Sequence, residues 1–353
     1  MKRKMLLIPL ALLLAISLVA IGCAKPAPAP APAPELEVIE WRFHTPHTEA
    51  RAEYVLQQDF VDMVYEATDG RLKITPYPGR ALGFKDGDML RLCGGGSLES
   101  FMSYPGYVSR DEPSIAIILP NFVLRDREEL IALMPVANKN YRVLYGEWNI
   151  RVLTQVPTPL HYLGLASTES LSSLELMKGK KIRCFDIIQA ATLNELGIPA
   201  EIMPQSESYM ALKTGMLDGT IHTLASAIPG LSLYEVADYF SIVGLSTVTL
   251  GVSCGEDALR ALPPDIQNIV LQVAKEHEQK WFELGAAGCP YDDDAIVFLK
   301  EQGMTMLEFS DADKELLTDT GAIMWVERAE EYGTKAVMYQ EMMQAELERI
   351  RAE

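Results

Sequence analysis

Residues 178–224 alternate between strand and helix patterns, and this alternation constrains the fold more than any other feature of the sequence. Segments 181–185, 200–203 and 220–224 have the composition of short strands, and the residues between them repeat apolar side chains at helical spacing. Asp186 and Ser206 are candidate N-caps for the two helices, and Gly197 ends the first of them. Strands that alternate with helices predict a parallel sheet with right-handed crossovers.

Arg183 lies near the end of the first of these strands, just before a predicted helix N-terminus. Ligands of parallel sheets bind at the carboxyl ends of the strands. A guanidinium beside the free N–H groups of a helix favours a carboxylate. The alternative for an arginine at the end of a strand is a salt bridge on the protein surface.

The same stretch resembles the substrate-binding proteins of TRAP transporters, the tripartite ATP-independent periplasmic systems of the DctP (dicarboxylate-binding) type. The matching residues are Leu-Met-Lys-Gly-Lys-Lys-Ile-Arg at 176–183, Leu-Gly-Ile-Pro at 196–199, Met-Pro at 203–204, Glu-Ser-Tyr-Met-Ala-Leu at 207–212 and Gly-Met-Leu-Asp-Gly at 215–219. A second match covers Thr-Asp-Gly-Arg-Leu-Lys-Ile at 68–74, Tyr-Pro at 77–78 and Leu-Gly at 82–83. The resemblance spans nearly all of the chain after Pro34.

The resemblance implies an α/β fold of the periplasmic-binding-protein type, with a ligand cleft between two lobes and long C-terminal helices. We expect residues 36–160 plus 249–288 to form lobe I. Residues 161–248 plus 289–353 are expected to form lobe II and the C-terminal helices. The resemblance also implies that Arg183 binds a substrate carboxylate.

Six further residues are candidate ligand contacts in the expected cleft. They are His44, Asp86, Ser103, Tyr104, Gln205 and His222. His44, Ser103 and Tyr104 end predicted strands, and relatives have polar contacts near His44 and His222. The alternatives are structural histidines, a solvated Gln205 and a helix N-cap at Asp86.

The sequence departs from the sialic-acid binders of the family at two places. Those proteins carry a second arginine near the position of Leu163 and an aromatic residue at the position of Gln205. The differences favour a smaller or less polar monocarboxylate as the ligand.

The N-terminus predicts export and anchoring by lipid. Residues 1–22 join a basic start to an apolar core at 6–19, which is typical of a signal peptide. The sequence Ala-Ile-Gly-Cys at 20–23 resembles a bacterial lipobox, so we expect cleavage before Cys23, its diacylation and an extracytoplasmic location at the cell membrane. An ordinary secretory signal is the alternative. Residues 23–35 form an extended Ala/Pro linker.

Composition and motifs argue against other function classes. The chain has 31 Lys and Arg against 49 Asp and Glu, a net charge of −18, without a basic patch for nucleic acid. An anionic ligand therefore needs a local cation. The sequence contains no Gly-x-Ser-x-Gly, His-Glu-x-x-His or Rossmann glycine run, so we predict neither an enzyme nor a cofactor. The acidic run 292–294 leaves a metal site as a minor alternative.

The predicted function is therefore an extracytoplasmic solute receptor that delivers a small organic acid to TRAP membrane permease subunits. A ligand-sensing lipoprotein without a transporter is the alternative. The sequence leaves open the identity of the ligand, the oligomeric state and any assistance by a metal. It also leaves open whether the cysteines after the lipobox form disulfides; these are Cys93, Cys184, Cys254 and Cys289.

Overall fold

A computed structural model of the protein describes residues 37–158, 162–224, 231–287 and 290–353. The predicted signal peptide, Cys23, the Ala/Pro linker and Cys289 lie outside these residues. The strands are β1 (Ile39–His44), β2 (Leu72–Tyr77), β3 (Ser100–Ser103), β4 (Ile150–Pro157), β5 (Tyr162–Ser167), β6 (Ile182–Cys184), β7 (Ala200–Ile202), β8 (Gly219–Thr223), β9 (Tyr239–Leu245), β10 (Thr249–Gly255) and β11 (Thr305–Glu308). The helices are α1 (Ala52–Ala67), α2 (Met89–Gly94), α3 (Pro105–Val108), α4 (Ser114–Ile118), α5 (Arg127–Gly146), α6 (Leu174–Met177), α7 (Ile187–Glu195), α8 (Ser208–Lys213), α9 (Glu256–Arg260), α10 (Pro264–Ala287), α11 (Pro290–Glu301), α12 (Asp311–Tyr332) and α13 (Thr334–Ala352).

The first sheet has the strand order β2-β1-β3-β10-β4. Strand β1 runs parallel to β2 and β3, whereas β10 is antiparallel to both β3 and β4. Trp41 and Phe43 of β1 are buried, because alternate residues of a strand point to the same face. Their pattern places one face of β1 against helix α1 and the interior of the first lobe.

The second sheet has the strand order β11-β9-β5-β8-β6-β7. Strand β6 is parallel to β7 and to β8, which confirms the parallel arrangement predicted for residues 178–224. Strands β5, β8 and β9 pair in antiparallel fashion, so the sheet as a whole is mixed. Two sheets flanked by helices confirm the α/β fold with two lobes that the sequence predicted.

Two segments that each look like one long strand in the sequence are divided between the sheets. Residues 152–162 and 242–253 contain the ends of β4 and β9 and the starts of β5 and β10. The backbone N–H and the hydroxyl of Thr158 both donate to the carbonyl of Val248, at 3.1 and 2.9 Å. These bonds hold the two crossing segments side by side where the chain passes between the lobes. They satisfy polar groups that a continuous strand would pair within one sheet.

The sequence predicts separate helices at 127–133 and 139–149, but the structure has one continuous helix, α5. The single helix continues through Pro135, although proline removes one backbone hydrogen bond from a helix interior. The apolar stripe is unbroken on both sides of the proline, and Leu133, Met134, Ala137 and Tyr141 are all buried. Packing of this stripe outweighs the local preference of proline to end a helix.

The last two helices connect both lobes. Helix α12 packs against α7, whereas α13 packs against α4 and α5. Nε1 of Trp325 donates to the carbonyl of Ile117 at 2.8 Å, and Arg351 pairs with Glu129 at 2.7 Å. The final helix thus packs on helices of the segment predicted for lobe I, and the bounds of the two lobes stay a prediction.

Three of the four cysteines in question, Cys93, Cys184 and Cys254, are buried free thiols. Burial raises the pKa of the Cys184 thiol to about 12, so this sulfur is protonated at neutral pH. Within the described ranges, no helix combines the length and the apolarity needed to span a bilayer. The same part of the chain contains no group of three or more His, Cys, Asp or Glu side chains that could hold a metal ion.

Candidate ligand-binding site

Arg183 lies in β6, and its guanidinium is fixed by backbone atoms of the neighbouring strands. Its Nε donates to the carbonyl of Met203 after β7, and its Nη1 donates to that of Ile221 in β8, each at 2.8 Å. Only 2% of the side chain is exposed. Among the described residues no carboxylate lies within ion-pair distance of it, so a surface salt bridge, the alternative interpretation, does not apply.

The helix that follows Arg183 begins as the sequence predicts. The Asp186 carboxylate accepts hydrogen bonds from the N–H groups of Ile188 and Gln189, at 2.9 and 3.1 Å. Asp186 is therefore the N-cap of α7. This cap fixes the turn between β6 and α7, and with it the direction of Phe185.

The charge of Arg183 is buried without a partner of opposite sign. Burial lowers the pKa of the guanidinium to about 10, which leaves it cationic at neutral pH. The group lies over the ring of Phe185, 5.6 Å from the ring centroid. Its Nη2 has no acceptor in the described part of the chain, and it is not sealed from solvent. A buried cation of this kind is unfavourable unless an anion binds to it.

His222 supports Arg183 on one side. Its Nδ1 lies 3.4 Å from Nη1 of the arginine, and its Nε2 lies 2.9 Å from the hydroxyl of Thr220 and 3.2 Å from that of Ser208. Burial, followed by the positive charges of Arg183 and Arg51, holds the pKa of His222 well below its ordinary value. The neutral imidazole can then accept from Arg183 and donate from Nε2.

A small cavity adjoins Arg183 and receives side chains from both lobes. The volume open to the centre of a water molecule is ≈ 40 Å³, enough for a few atoms of a compact ligand. Lobe I and the crossing segment contribute His47, Arg51, Glu53, Tyr104, Tyr107, Val248 and Leu250. The second lobe contributes Phe185, Gln205, His222 and Thr223. Arg183 itself lies directly behind this wall, in contact with Phe185 and His222.

Arg51 is a cavity residue that the sequence analysis missed. The apolar spacing of the sequence predicts a helix from about residue 49 to 68, in which Arg51 would be an ordinary helix-surface side chain. The observed helix begins at Ala52, and Arg51 is its N-cap with an extended backbone. Its Nη2 and Nε contact the two carboxylate oxygens of Glu53 at 2.5 and 3.2 Å, in a pair that is buried on both sides. The signal available in the sequence was an Arg-x-Glu pair directly after the polar turn that ends β1.

The ionisation states around Arg51 follow from burial and charge. Burial and the charge of Arg51 lower the pKa of His47 to about 3, so its imidazole is neutral. Nε2 of Gln57 lies 2.8 Å from Nδ1 of His47, which leaves the ring proton on Nε2. Burial alone would raise the pKa of Glu53, but the charge of Arg51 and its hydrogen bond bring it below its usual value. Glu53 is therefore a carboxylate.

The structure brings together only part of the predicted ligand-contact set. Tyr104, Gln205 and His222 line the cavity, and Arg183 adjoins it. Ser103 lies outside the wall and donates to Oε1 of Gln155 at 3.1 Å. Their roles as ligand contacts stay predictions.

His44 and Asp86 also lie outside the cavity wall. His44 is buried and bonds to Asp86, whose carboxylate also accepts from Arg80. Asp86 lies within a 3₁₀ turn, so the alternative role as a helix N-cap is wrong. Their role as ligand contacts likewise stays a prediction.

Comparison with known protein families shows the family to which the chain belongs. The model of bacterial extracellular solute-binding protein family 7, also named DctP, matches residues 43–331, which is most of the chain. The chain belongs to this family. The resemblance to TRAP substrate-binding proteins that the sequence motifs carried is thereby confirmed.

Solved structures of TRAP periplasmic solute-binding proteins share the fold of this family 7 protein. A marine metagenome protein described as specific for pyroglutamate superposes with a TM-score of 0.76 at 19% identity, over 90% of this chain and all of that one. A protein from Roseobacter denitrificans with bound β-D-glucuronate has a TM-score of 0.72 at 19% identity, over 86% of this chain and 99% of that one. At these identities the likeness establishes the fold.

Curated relatives of this family 7 protein have low sequence identity, but the similarity covers about two thirds or more of the chain. The ectoine-binding periplasmic protein TeaA of Halomonas elongata is 24% identical over 239 residues, which are 66% of this chain and 68% of TeaA. An uncharacterized protein of Haemophilus influenzae is 26% identical over 287 residues, which are 77% of this chain and 82% of that protein.

A larger groove of this family 7 protein, of ≈ 780 Å³, lies away from Arg183. Its arginines are paired with carboxylates: Arg151 contacts Glu256 at 2.8 Å, and Arg142 contacts Glu278 at 2.7 Å. These guanidinium groups already have partners, unlike that of Arg183. We therefore assign the candidate site to the smaller cavity on chemical grounds.

Proposed function

We propose that this protein is the extracytoplasmic solute receptor of a TRAP transporter, which binds a small organic acid and delivers it to membrane permease subunits. The observation that carries the proposal is the buried guanidinium of Arg183, oriented by two carbonyl groups and lacking a carboxylate partner. A charge-assisted bond from such a group to a ligand carboxylate is among the stronger polar contacts in proteins.

The solved relatives support an acidic ligand. Their descriptions name bound β-D-glucuronate, (S)-2-acetolactate and pyroglutamate. In the present chain, Tyr104, Gln205 and His222 provide hydroxyl, amide and imidazole groups around the same cavity. We assign them to contacts with the rest of the ligand, with Arg183 at its carboxylate.

Closure of the two lobes over the ligand would occur at the crossing segments. Thr158 and Val248 bind each other where both segments pass between the sheets. Rotation about a few residues at such positions is a common form of domain closure. We further propose that Cys23 carries the lipid anchor, which mass spectrometry of the mature N-terminus tests directly.

The test of ligand binding is a thermal-shift screen of organic acids, followed by calorimetry on the acids that raise the melting temperature. We expect Arg183→Met to weaken binding by about 30-fold or more, because it removes the cation that holds the carboxylate. Arg260→Met is the matched control, since this exposed arginine lies at the surface groove and is expected to leave affinity unchanged.

Arg183 also bonds to two backbone carbonyls, so the Met variant requires a check of its fold. Arg183→Lys keeps the charge and should retain partial affinity, and the melting temperature without ligand reports on folding in both variants. Equal affinity of the folded Met variant and the parent protein would remove the proposed role of Arg183. Delivery is tested by solute uptake in cells with and without the TRAP permease subunits.

A further inference from the structure

The charges around the candidate cavity sum to one positive charge. Two guanidinium groups, of Arg183 and Arg51, and one carboxylate, of Glu53, lie at or directly behind its wall. His47 and His222 are neutral because burial lowers the pKa of both. Buried charges are unfavourable unless they are compensated, so this set complements a ligand that carries a single negative charge.

The nearest other charged groups do not alter this sum. Asp86 and Arg80 form a pair at 2.5 Å and cancel each other outside the wall. The Asp186 carboxylate also lies outside the wall. Unlike Arg183, which contacts the wall residues Phe185 and His222, it is bonded to the N–H groups of Ile188 and Gln189 at the start of α7, and among the described residues it forms no ion pair with either arginine. The balance at the cavity is therefore set by the two arginines and Glu53.

The two arginines offer different kinds of contact. Arg183 has no carboxylate partner in the described residues, whereas Arg51 is already neutralised by Glu53. The Nη1 atom of Arg51 is nevertheless buried without an acceptor among the described residues, so the protein itself leaves this strong donor unsatisfied. Such a donor suits a neutral oxygen, because a second anion would meet the carboxylate of Glu53 beside it.

The two guanidinium groups lie close enough to the same cavity to influence each other electrostatically. The charge of Arg51 contributes to lowering the pKa of Arg183 and of His222, on the opposite lobe. The wall of the same cavity also contains apolar side chains, among them Phe185, Val248 and Leu250. A ligand that contacts this wall and both guanidinium groups has an acidic end, a short apolar body and a polar but uncharged end.

We propose that Arg51 and Glu53 are a specificity-determining pair that makes the site select a monocarboxylate bearing a neutral hydrogen-bond acceptor. The carboxylate binds Arg183, and a carbonyl, amide or hydroxyl oxygen of the same ligand binds Arg51. The inference rests on the proposed function, in that it assumes Arg183 holds the ligand carboxylate. A dicarboxylate is excluded because its second charge would lie next to Glu53.

The test compares dicarboxylates with their monoamides, which have nearly the same size and differ by one charge. The probes are malonate, succinate, glutarate and adipate, each paired with its monoamide, and calorimetry gives the affinity of each. We expect the parent protein to bind the best monoamide about tenfold or more tightly than the matching dicarboxylate. Glu53→Gln removes the negative charge that repels the second carboxylate. The ratio of monoamide affinity to dicarboxylate affinity should therefore fall towards one or below it.

Two further variants distinguish the effect of charge on ligand preference from an effect of the substitution on the fold. Glu53→Asp keeps the carboxylate and should keep the preference for the monoamide. Arg51→Gln should lower the affinity for the monoamide by about tenfold, because it removes a charged hydrogen-bond donor. Simple monocarboxylates should still bind through Arg183. Melting temperatures without ligand show whether each variant is folded, and the parent ratio stands as a test even if Glu53→Gln is unstable.

Three outcomes would overturn the inference. They are a parent protein that binds a dicarboxylate as tightly as its monoamide, a ratio that folded Glu53→Gln leaves unchanged, and no binding of any monoamide at millimolar concentration. None of these decides the proposed function, which depends on whether Arg183→Met loses affinity for the acids found by the thermal-shift screen.

Discussion

The Nε2 atom of His44 lies 3.0 Å from Oδ1 of Asp86, so two residues predicted as separate ligand contacts bind each other. The other carboxylate oxygen accepts hydrogen bonds of 2.5 and 2.9 Å from the guanidinium of Arg80. Asp86 thereby joins the end of β1 to the turn that follows β2. The connection lies next to His47 and supports the lobe I wall of the cavity.

We expect Asp86→Asn to lower the free energy of unfolding by about 1–3 kcal/mol at neutral pH, because the amide cannot accept from both His44 and Arg80 as the carboxylate does. Burial alone would raise the pKa of Asp86. Its bonds to His44 and Arg80 lower the pKa by more than burial raises it, so the net pKa lies below the usual value. The stabilisation by the carboxylate is thus present above its unfolded pKa of about 4 and is lost as pH falls through the folded value. Urea unfolding at neutral and acid pH measures this difference.

The control for this prediction is Asp88→Asn. Asp88 pairs with Arg110 near the surface, and its replacement should change stability by less than about 1 kcal/mol. The difference in free energy of unfolding between the parent and Asp86→Asn should shrink at acid pH. A difference that stays constant would contradict the assigned role of the carboxylate.

Asp186→Asn tests a carboxylate that is destabilised by burial. Burial raises the pKa of Asp186 to about 6, although the N–H groups of Gln189 and Ile188 oppose the change. Because the folded pKa exceeds the unfolded one, the favourable contribution of the bound proton is complete below about pH 4 and is lost as pH rises through about 6. The parent should therefore lose about 2 kcal/mol of stability, relative to the Asn variant, between about pH 4 and pH 7.

Asparagine is as good an N-cap as aspartate, so the variant isolates the charge. Urea denaturation at several pH values gives the stability of both proteins. Parallel stability curves for parent and variant over this range would show that the Asp186 carboxyl does not titrate near pH 6.

Much of the second lobe could be predicted from the sequence, because its signals are local. The alternation in 178–224 gave three parallel strands, and the position of Asp186 gave the start of α7. Arg183 could be placed for the same reason, since one strand and one helix start decide where it lies. Short sequence separations carry these features.

The rest of the site depends on residues that are distant in the sequence. The contact of His44 with Asp86 spans 42 positions, and that of Thr158 with Val248 spans 90. Such contacts exist only after the strand order of the sheets is fixed, which no local pattern specifies. Arg51 was missed for a different reason, since a shift of the helix start by a few residues turns a solvent-facing side chain into a cap at the cavity.

In the Asp186→Asn background, ligand affinity should be insensitive to pH between about 5.5 and 8. Burial, with the nearby arginines, keeps the pKa of His47 near 3 and that of His222 well below its ordinary value, so neither gains a proton in this range. Calorimetry with an acid found in the screen should give dissociation constants within about twofold across the range.

Asp186 titrates within the same pH range, and Asp186→Asn is therefore the control background for this measurement. An affinity in that background that rises about tenfold toward pH 5.5 would show that a cavity histidine becomes cationic and adds to the attraction of the ligand.

Gly164→Ala tests the packing of β5 against β9 in the second lobe. A Cβ at Gly164 would lie 1.7 Å from Cε1 and 2.0 Å from Cζ of Phe240, a ring that is fully buried. We expect the variant to lose about 1–3 kcal/mol of stability, because the ring cannot move without disturbing its other neighbours. Gly146→Ala is the control, since nothing lies within 4 Å of its added methyl group and alanine suits the end of α5.

The double variant with Phe240→Leu separates a clash from a requirement for backbone freedom at Gly164. A smaller side chain at 240 should reduce the additional loss caused by Gly164→Ala, which a double-mutant cycle measures as a coupling energy. If the loss is the same in both backgrounds, the ring of Phe240 is not its cause, and the irregular pairing between Leu163 and Gly164 becomes the explanation. A coupling of about 1 kcal/mol or more would instead assign the glycine to close contact between the two strands.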